Sequence, residues 1–222
     1  MKKIILSVSM ALMSTVAFSQ IESGTMFLGG SFGFSSGSSE NTVGPTTTDG
    51  PETSSFNLAP SFGYMLTDKI GVGLRIGLNN NSTTQTGVDG GGAFEQEDKT
   101  NITMVGAFGR YYLPVAGDKL FWHVDLGFDI GFGSNTSTFT QGGTTVETEQ
   151  DINTLGIGLR PGFDYFVGDK WALEMNWGFI GYDSYTTTTP AENGNPEQEN
   201  SNSEFGADFD FTQFGIGARW YF

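Results

Sequence analysis

Apolar residues alternate with small or polar residues along most of this chain, which is the pattern of β-strands that have one apolar face. In residues 56–64 and 70–78, the even positions carry Phe, Leu, Pro, Tyr, Ile or Val, and the odd positions carry Asn, Ala, Ser, Gly or Arg. The pattern recurs often enough to predict eight strands. They lie near residues 25–35, 56–64, 70–78, 101–113, 120–132, 155–165, 171–179 and 214–222.

The strand near residues 101–113 is less regular than the others. If Arg110 faces one side, Phe108 must share that side, and Tyr111 and Val105 must face the other. Because this arrangement puts a large apolar ring beside a charge, the strand is a candidate for a β-bulge, in which one extra residue shifts the alternation.

The connections between the predicted strands alternate in length. Three are short and end in Asp-Lys, at residues 67–69, 115–119 and 168–170. The other four are long and rich in Thr, Ser, Asn, Gly and acidic residues; they lie near 36–53, 81–100, 134–150 and 184–204. Short turns at one end and long loops at the other are typical of an up-and-down transmembrane β-barrel.

The polar face of the strands argues against a soluble barrel or a β-sandwich, which would expose that face to water. Much of it is glycine, as at Gly71, Gly73, Gly127 and Gly158, while the apolar face carries large Trp, Phe, Leu and Ile side chains. A lipid-exposed barrel places the apolar face outward and pairs every backbone group around a closed sheet. The lumen of an eight-stranded barrel is just wide enough to be filled by side chains.

The first residues have the composition of an export signal. Lys2 and Lys3 precede an apolar stretch from Ile4 to Phe18, and Ala17 and Ser19 are small residues at the cleavage positions. The alternative is an N-terminal membrane anchor, but the stretch is short for a span of about 20 residues. The sequence therefore predicts a signal peptide over residues 1–19 and one barrel domain over residues 20–222.

Composition limits the possible partners. The sequence has no Cys, so it has neither disulfides nor thiolate metal sites, and its formal net charge of −15 argues against nucleic acid as a partner. No ligand spacing for a metal or a cofactor is apparent, and we predict none.

Charged residues on the inward face are the first candidate site. Four arginines and four acids carry equal and opposite charge, which predicts an ion-pair network that plugs the lumen, because isolated charges in a narrow lumen are costly. A gated polar pore is the alternative. The network comprises Arg75, Arg110, Asp125, Asp129, Arg160, Asp164, Glu174 and Arg219.

His123 is the single histidine. It follows a short turn, so we expect it low in the barrel, facing inward and satisfied there, rather than in catalysis.

The combination of alternating strands, alternating connection lengths and an aromatic terminal strand resembles small outer-membrane barrels of the OmpA/OmpX type, labelled porin-family or outer membrane protein β-barrel domain proteins. The resemblance covers essentially the whole chain after residue 19. It implies a location in the outer membrane of a Gram-negative bacterium, contact with outer-membrane lipids, and a monomer assembled by the barrel assembly machinery.

Two sets of outward aromatic residues have roles in this interpretation. As the resemblance implies, the C-terminal strand with Phe214, Ile216, Trp220 and Phe222 is read by the assembly machinery. Aromatic side chains near the short turns predict the girdle at the membrane interface. That girdle comprises Tyr64, Trp122, Tyr165 and Trp171.

The long loops are acidic, with Glu95, Glu97, Asp98, Glu147 and Glu149 among their residues. They predict either capture of divalent cations or a solvated, self-repelling surface, and the absence of EF-hand spacing favours the second.

The sequence predicts a non-enzymatic protein of outer-membrane structure or surface interaction, including adhesion, with an unidentified extracellular partner. A narrow porin or small-solute transport barrel is the alternative. An outer-membrane lipid-modifying enzyme is disfavoured because, as the resemblance implies, such barrels place His, Ser and an acid near the outer rim.

Overall fold

The protein is described by a computed structural model that covers residues 21–43, 46–117, 119–191, 196–208 and 215–222. The predicted signal peptide and Phe214 lie outside these residues.

Within the described residues the chain forms ten antiparallel strand segments that make a ring of eight strands. Two of the eight strands are each made of two segments: β7 and β8 lie on either side of Trp177 and Gly178, and β9 and β10 belong to the last strand. From β1 to β6 each segment pairs with the next, β6 then pairs with both β7 and β8, and these pair with β10 and β9 respectively. The segments are β1 (Met26–Val43), β2 (Thr46–Met65), β3 (Ile70–Asp89), β4 (Gly92–Ala116), β5 (Leu120–Gln141), β6 (Thr144–Phe166), β7 (Trp171–Asn176), β8 (Phe179–Thr189), β9 (Gln198–Asp208) and β10 (Gly215–Tyr221).

The first and last segments close the ring. Phe27 of β1 lies opposite Tyr221 of β10, and Met26 and Phe222 exchange two backbone hydrogen bonds of 2.9 Å. The predicted eight-stranded antiparallel barrel is therefore confirmed. No helix among the described residues is long and apolar enough to cross a membrane.

The outward face carries an apolar belt. On β5 it runs from Trp122 to Phe132 through alternate residues such as Leu126, which is 58% exposed. Above Phe132 the outward residues become polar, beginning with Ser134, and a comparable boundary lies above Phe56 on β2. The belt matches the 9–11 residues that a tilted strand needs to cross a bilayer.

The strands continue far beyond this belt. The segments predicted as long loops are hairpins: β3 and β4 meet at a turn of residues 90–91, and β5 and β6 meet at Gly142 and Gly143. Both of these glycines have positive φ, 59° and 83°, as the tight turn of a twisted hairpin requires. About ten further residues extend each strand beyond the belt by about 30 Å, measured along the strand.

The strand at residues 101–113 keeps an unbroken register with β5, so the bulge considered there is absent. The register of β4 against β5 shifts between Pro114 and Ala116. Phe108 and Arg110 both face inward and are 5% and 2% exposed, while Tyr111 faces outward. The register shift therefore falls after Arg110 and leaves the inward alternation of the strand intact.

An apolar layer fills the lumen at the short-turn end. It is built from inward aromatic rings on five segments, among them Tyr112 and Tyr221, whose hydroxyl groups lie 2.9 Å apart. The sequence analysis expected small or polar residues on this face. The buried cluster comprises Ile21, Phe27, Met65, Phe108, Tyr112, Phe121, Phe166, Ala172 and Tyr221.

Candidate functional site

Glu174 lies at the centre of a buried charged cluster just above the aromatic layer. Its two carboxylate oxygens each accept a hydrogen bond of 3.1 Å from Arg110, and Oε2 also accepts one of 2.7 Å from Arg219 Nε and another from Arg219 Nη2. Asn176 Nδ2 donates to Oε1 at 2.7 Å. β7 therefore supplies an acceptor that ties together arginines from β4 and β10.

Arg110 also forms a bidentate pair with Asp125 on the neighbouring strand. Arg110 Nε lies 2.5 Å from Oδ1, and Nη2 lies 2.7 Å from Oδ2. The two residues are direct partners in the β4–β5 register, and both are almost completely buried. Such fork-like pairs are among the stronger charge-assisted hydrogen bonds.

Asp164 joins this cluster from β6. Its Oδ2 accepts a hydrogen bond of 3.0 Å from the Tyr221 hydroxyl and lies 3.6 Å from Arg110 Nη1. Its Oδ1 lies 3.5 Å from His123 Nδ1, and both residues are fully buried. We call the set of Arg110, Asp125, Asp164, Glu174 and Arg219 the lower cluster.

Arg75, Asp129 and Arg160 form a separate upper cluster. Arg75 Nε and Nη2 bind Asp129 at 2.6 and 2.7 Å, and Arg160 Nη2 binds the same carboxylate at 2.9 Å. The arginine side chains retain 19% and 29% exposure, so this cluster faces the wider part of the lumen. Its arginines are more exposed than those of the lower cluster, whose side chains are 2% exposed.

Glycine makes the room for these long side chains. A Cβ built on Gly127 would collide with Arg75 and lie 2.8 Å from Arg160 Nη1, and one built on Gly106 would collide with Asp129. The inward glycines of the sequence thus create space for the charged residues around them.

Stacking on aromatic rings connects the charges to the layer below. The Arg219 guanidinium carbon lies 4.5 Å from the centre of the Phe27 ring, and that of Arg110 lies 5.6 Å from the Tyr112 ring. The lower cluster and the aromatic layer are therefore one packed unit.

A cavity of about 140 Å³ lies in the lumen beside the two clusters. Small residues of β1, β2 and β10 leave this space, including Gly30, Ala59 and Gly217, and the arginines of both clusters line its other side. The packing is thus tight at the short-turn end and looser above it.

His123 lies low and faces inward. Its Nε2 atom is 2.9 Å from Asn176 Oδ1, and a Cβ on Gly162 would lie 2.6 Å from that same oxygen. Across the described ranges, no three His, Asp or Glu side chains are placed so as to hold a metal ion.

The outward aromatic residues stack near the short turns. Trp171 and Trp220 have ring centres 6.1 Å apart, and Trp220 and Phe222 are 4.7 Å apart. Ile216 is exposed on the same strand as Trp220. Of the remaining proposed girdle residues, Tyr64 and Tyr165 are exposed and Trp122 is partly exposed.

Sequence reasoning missed several inward groups. Tyr112, Tyr221 and Asn176 bind the charged residues directly. Asp183 and Glu204 are cross-strand partners that share the inward face of Gly156. The phase of the alternation could have found Tyr112, Asn176 and Tyr221, because each lies two residues from a predicted inward charge. It could not have found Asp183 and Glu204, which lie an odd number of residues from Glu174 and Arg219, the inward charges predicted on their strands.

The fold and the filled lumen define a closed outer-membrane type of β-barrel, and the comparison with protein families agrees. Residues 5–222 match the family model described as outer membrane protein beta-barrel domain. The chain belongs to this family and is an outer-membrane protein.

Solved structures with a similar fold include three outer-membrane proteins. OprG from Pseudomonas aeruginosa is 17% identical, with 92% of this chain and 99% of that chain covered and a TM-score of 0.48. Outer membrane protein W from E. coli is 19% identical, with coverages of 90% and 99% and a TM-score of 0.40. Ail, the attachment invasion locus protein of Yersinia pestis, is 14% identical, with coverages of 90% and 99% and a TM-score of 0.37. No curated protein matches the sequence.

Proposed function

We propose that this protein is a closed structural barrel that presents an acidic, hydroxyl-rich surface outside the outer membrane. The observation that carries the proposal is the stacking of two occluding layers at the short-turn end, the aromatic layer and the lower cluster. Arg110, Asp164, Glu174 and Arg219 are at most 9% exposed, and Phe27, Tyr112 and Tyr221 beneath them are at most 2% exposed.

An ion crossing this region would have to break the lower cluster. Glu174 receives hydrogen bonds from three residues, and Arg110 binds both Glu174 and Asp125. Separating a buried charge from its partners leaves it uncompensated, which costs about 3–5 kcal/mol. The proposal therefore expects a lumen that conducts little.

Conductance in planar bilayers tests the closed lumen. The unmodified protein should give little current at two salt concentrations, and a large, stable open state would overturn the proposal. Protein recovered from the bilayer lipid should show heat-modifiable migration on gels. This control establishes that folded barrel was present, so that a lack of current is not mistaken for failed insertion.

The raised hairpins supply the surface for interaction. On β6 the outward face carries Glu147, Glu149 and Asp151, and on β5 opposite them it carries Thr138, Thr136 and Ser134. Since these acids lie opposite hydroxyl side chains and not basic ones, the surface attracts cationic groups, and the attraction weakens as salt is added. The proposed extracellular partner is therefore cationic.

Binding of whole cells to a poly-lysine surface tests this part. Changing Glu147 and Glu149 to Gln and Asp151 to Asn should lower binding at low salt, and the difference should vanish at high salt. Neutralising the same number of acids at the opposite end, Glu22, Asp68 and Asp169, provides the matched control and should leave binding unchanged. Equal binding by both variants would contradict a role for the hairpins.

Transport of a small solute is the second candidate. The cavity of about 140 Å³ and the interruption of the wall at Trp177 and Gly178, where Gly178 has a φ of 74°, are the observations that favour it. An open conducting state in the bilayer experiment would promote this candidate over the first.

A further inference from the structure

Asp164 of the lower cluster forms a buried pair of titratable groups with His123, which lies beside the cluster. His123 Nδ1 lies 3.5 Å from Asp164 Oδ1, and both side chains are 0% exposed. Neither of these two atoms has a hydrogen-bond partner among the described residues. The protonation of the pair follows from the groups around it, beginning with Asn176.

The Asn176 amide fixes which imidazole nitrogen carries hydrogen. Its Nδ2 donates to Glu174 Oε1 at 2.7 Å, and turning the amide round would place two acceptor oxygens against each other. Asn176 Oδ1 therefore faces His123 Nε2, 2.9 Å away. Since an amide oxygen only accepts, Nε2 must be the donor and must carry a proton.

The other nitrogen then faces a carboxylate. With hydrogen on Nε2, a neutral imidazole has a lone pair on Nδ1, and an ionised Asp164 has lone pairs on Oδ1. Two acceptors would face each other in a site closed to water, and an unmet buried acceptor costs about 1–3 kcal/mol. We infer that His123 and Asp164 together hold one proton, between Nδ1 and Oδ1.

The charge of the lower cluster supports this proton. Arg110 and Arg219 balance Asp125 and Glu174, which leaves Asp164 as an unmatched negative charge. One proton on the His123–Asp164 pair makes the cluster neutral, whether it resides on the nitrogen or on the oxygen. The pair is thus a proton-binding site that completes the charge balance of the plug.

Charged and titratable groups from every neighbouring strand act on this proton. Arg110 on β4 opposes a protonated imidazole, since its Nη1 lies 3.6 Å from the same aspartate and neutralises part of its charge. The carboxylates oppose the loss of the proton. The groups facing the pair are Arg110 and Tyr112 on β4, Asp125 on β5, Glu174 on β7, and Arg219 and Tyr221 on β10.

A single histidine makes the test direct, because ¹⁵N-histidine labels one site in the whole chain. Magnetic resonance of the intact barrel in lipid, with ¹³C-labelled aspartate, reports both partners. The carboxyl carbon of Asp164 is identified by its through-space coupling to His123 Nδ1. At pH 7 we expect either a protonated Nδ1 or a protonated Asp164 carboxyl hydrogen-bonded to Nδ1. An unbonded Nδ1 lone pair together with an ionised Asp164 would overturn the inference.

Two substitutions sharpen the experiment. Asp164→Asn should remove the shared proton and give a neutral imidazole at pH 7. Asp129→Asn makes the same chemical change in the upper cluster and should leave the histidine signals where they are. A protonated imidazole that persists in Asp164→Asn would contradict the pairing. If that variant does not fold, the measurement on the unmodified protein still decides.

Discussion

Arg110 and Glu174 lie on strands that are not neighbours in the ring, β4 and β7, and they meet in the lumen through two hydrogen bonds of 3.1 Å. This contact spans the barrel and joins walls that the backbone ladders connect only indirectly, through β5 and β6 on one side and through β3, β2, β1 and β10 on the other. The side chains therefore brace the lumen from within.

Removing Arg110 should harm the barrel more than removing Arg160. Arg110→Ala leaves Asp125 and part of Glu174 unpaired in a buried site, and we expect a loss of about 3–5 kcal/mol in the free energy of unfolding. Arg160 makes one hydrogen bond to Asp129 and is partly exposed, so Arg160→Ala should cost about 1 kcal/mol. Denaturant unfolding in detergent measures both. Equal losses would show that the two clusters do not differ in burial as described.

Adding one methyl group inside the lumen should be costly, whereas adding one outside should be harmless. A Cβ on Gly106 would collide with Asp129 and lie 2.7 Å from the Phe128 carbonyl oxygen, whereas one on Gly109 of the same strand meets nothing within 4 Å. We expect Gly106→Ala to lower the free energy of unfolding by about 1–3 kcal/mol and Gly109→Ala to leave it nearly unchanged. Urea titrations in the same detergent compare the two.

Phe222→Asp should reduce assembly in cells far more than it reduces the stability of folded barrel. The charge lies at the interface, where it costs about 0–1 kcal/mol. The matched control is Phe205→Asp, which changes an exposed aromatic side chain at the other edge of the belt. Folded barrel is counted by heat-modifiable migration. Normal amounts of the Phe222→Asp barrel would argue against recognition of this strand.

Hydrogen exchange should show that the raised hairpins are ordered. Thr136 and Thr138 of β5 pair with Glu149 and Glu147 of β6, so their strands should protect amides from exchange. Gly143→Val places a branched side chain at a φ of 83° and should cost about 1–2 kcal/mol at the turn. Faster exchange confined to the hairpin tip is the expected result. Amides that exchange at random-coil rates in the unmodified protein would show that the hairpins are not formed.

The alternation of side chains is enough to predict the strands of the ring, because successive side chains of any β-strand point to opposite faces and one apolar face therefore gives a period of two residues. It also places Phe108 and Arg110 on the same face. The aromatic layer was missed because Phe121 and Tyr221 follow the inward phase while their ring chemistry matches the lipid-facing residues around them.

Two other features depend on information that the pattern lacks. Thr, Ser and Asn are common in loops, yet Thr also favours strands, so the composition of residues 81–100 did not reveal that β3 and β4 continue. Ion-pair partners depend on the register between strands and on contacts across the lumen. Arg110 pairs with Asp125 through register, but it reaches Glu174 only because the barrel closes.

The closing contact between β1 and β10 has a consequence for the order of events in biogenesis. β1 begins at Met26 and β10 at Gly215, so almost the whole exported chain must be present before either edge can find its partner. Until then any partial sheet has two open edges, which invite pairing with other copies. Covering these edges until β1 and β10 meet would prevent such pairing.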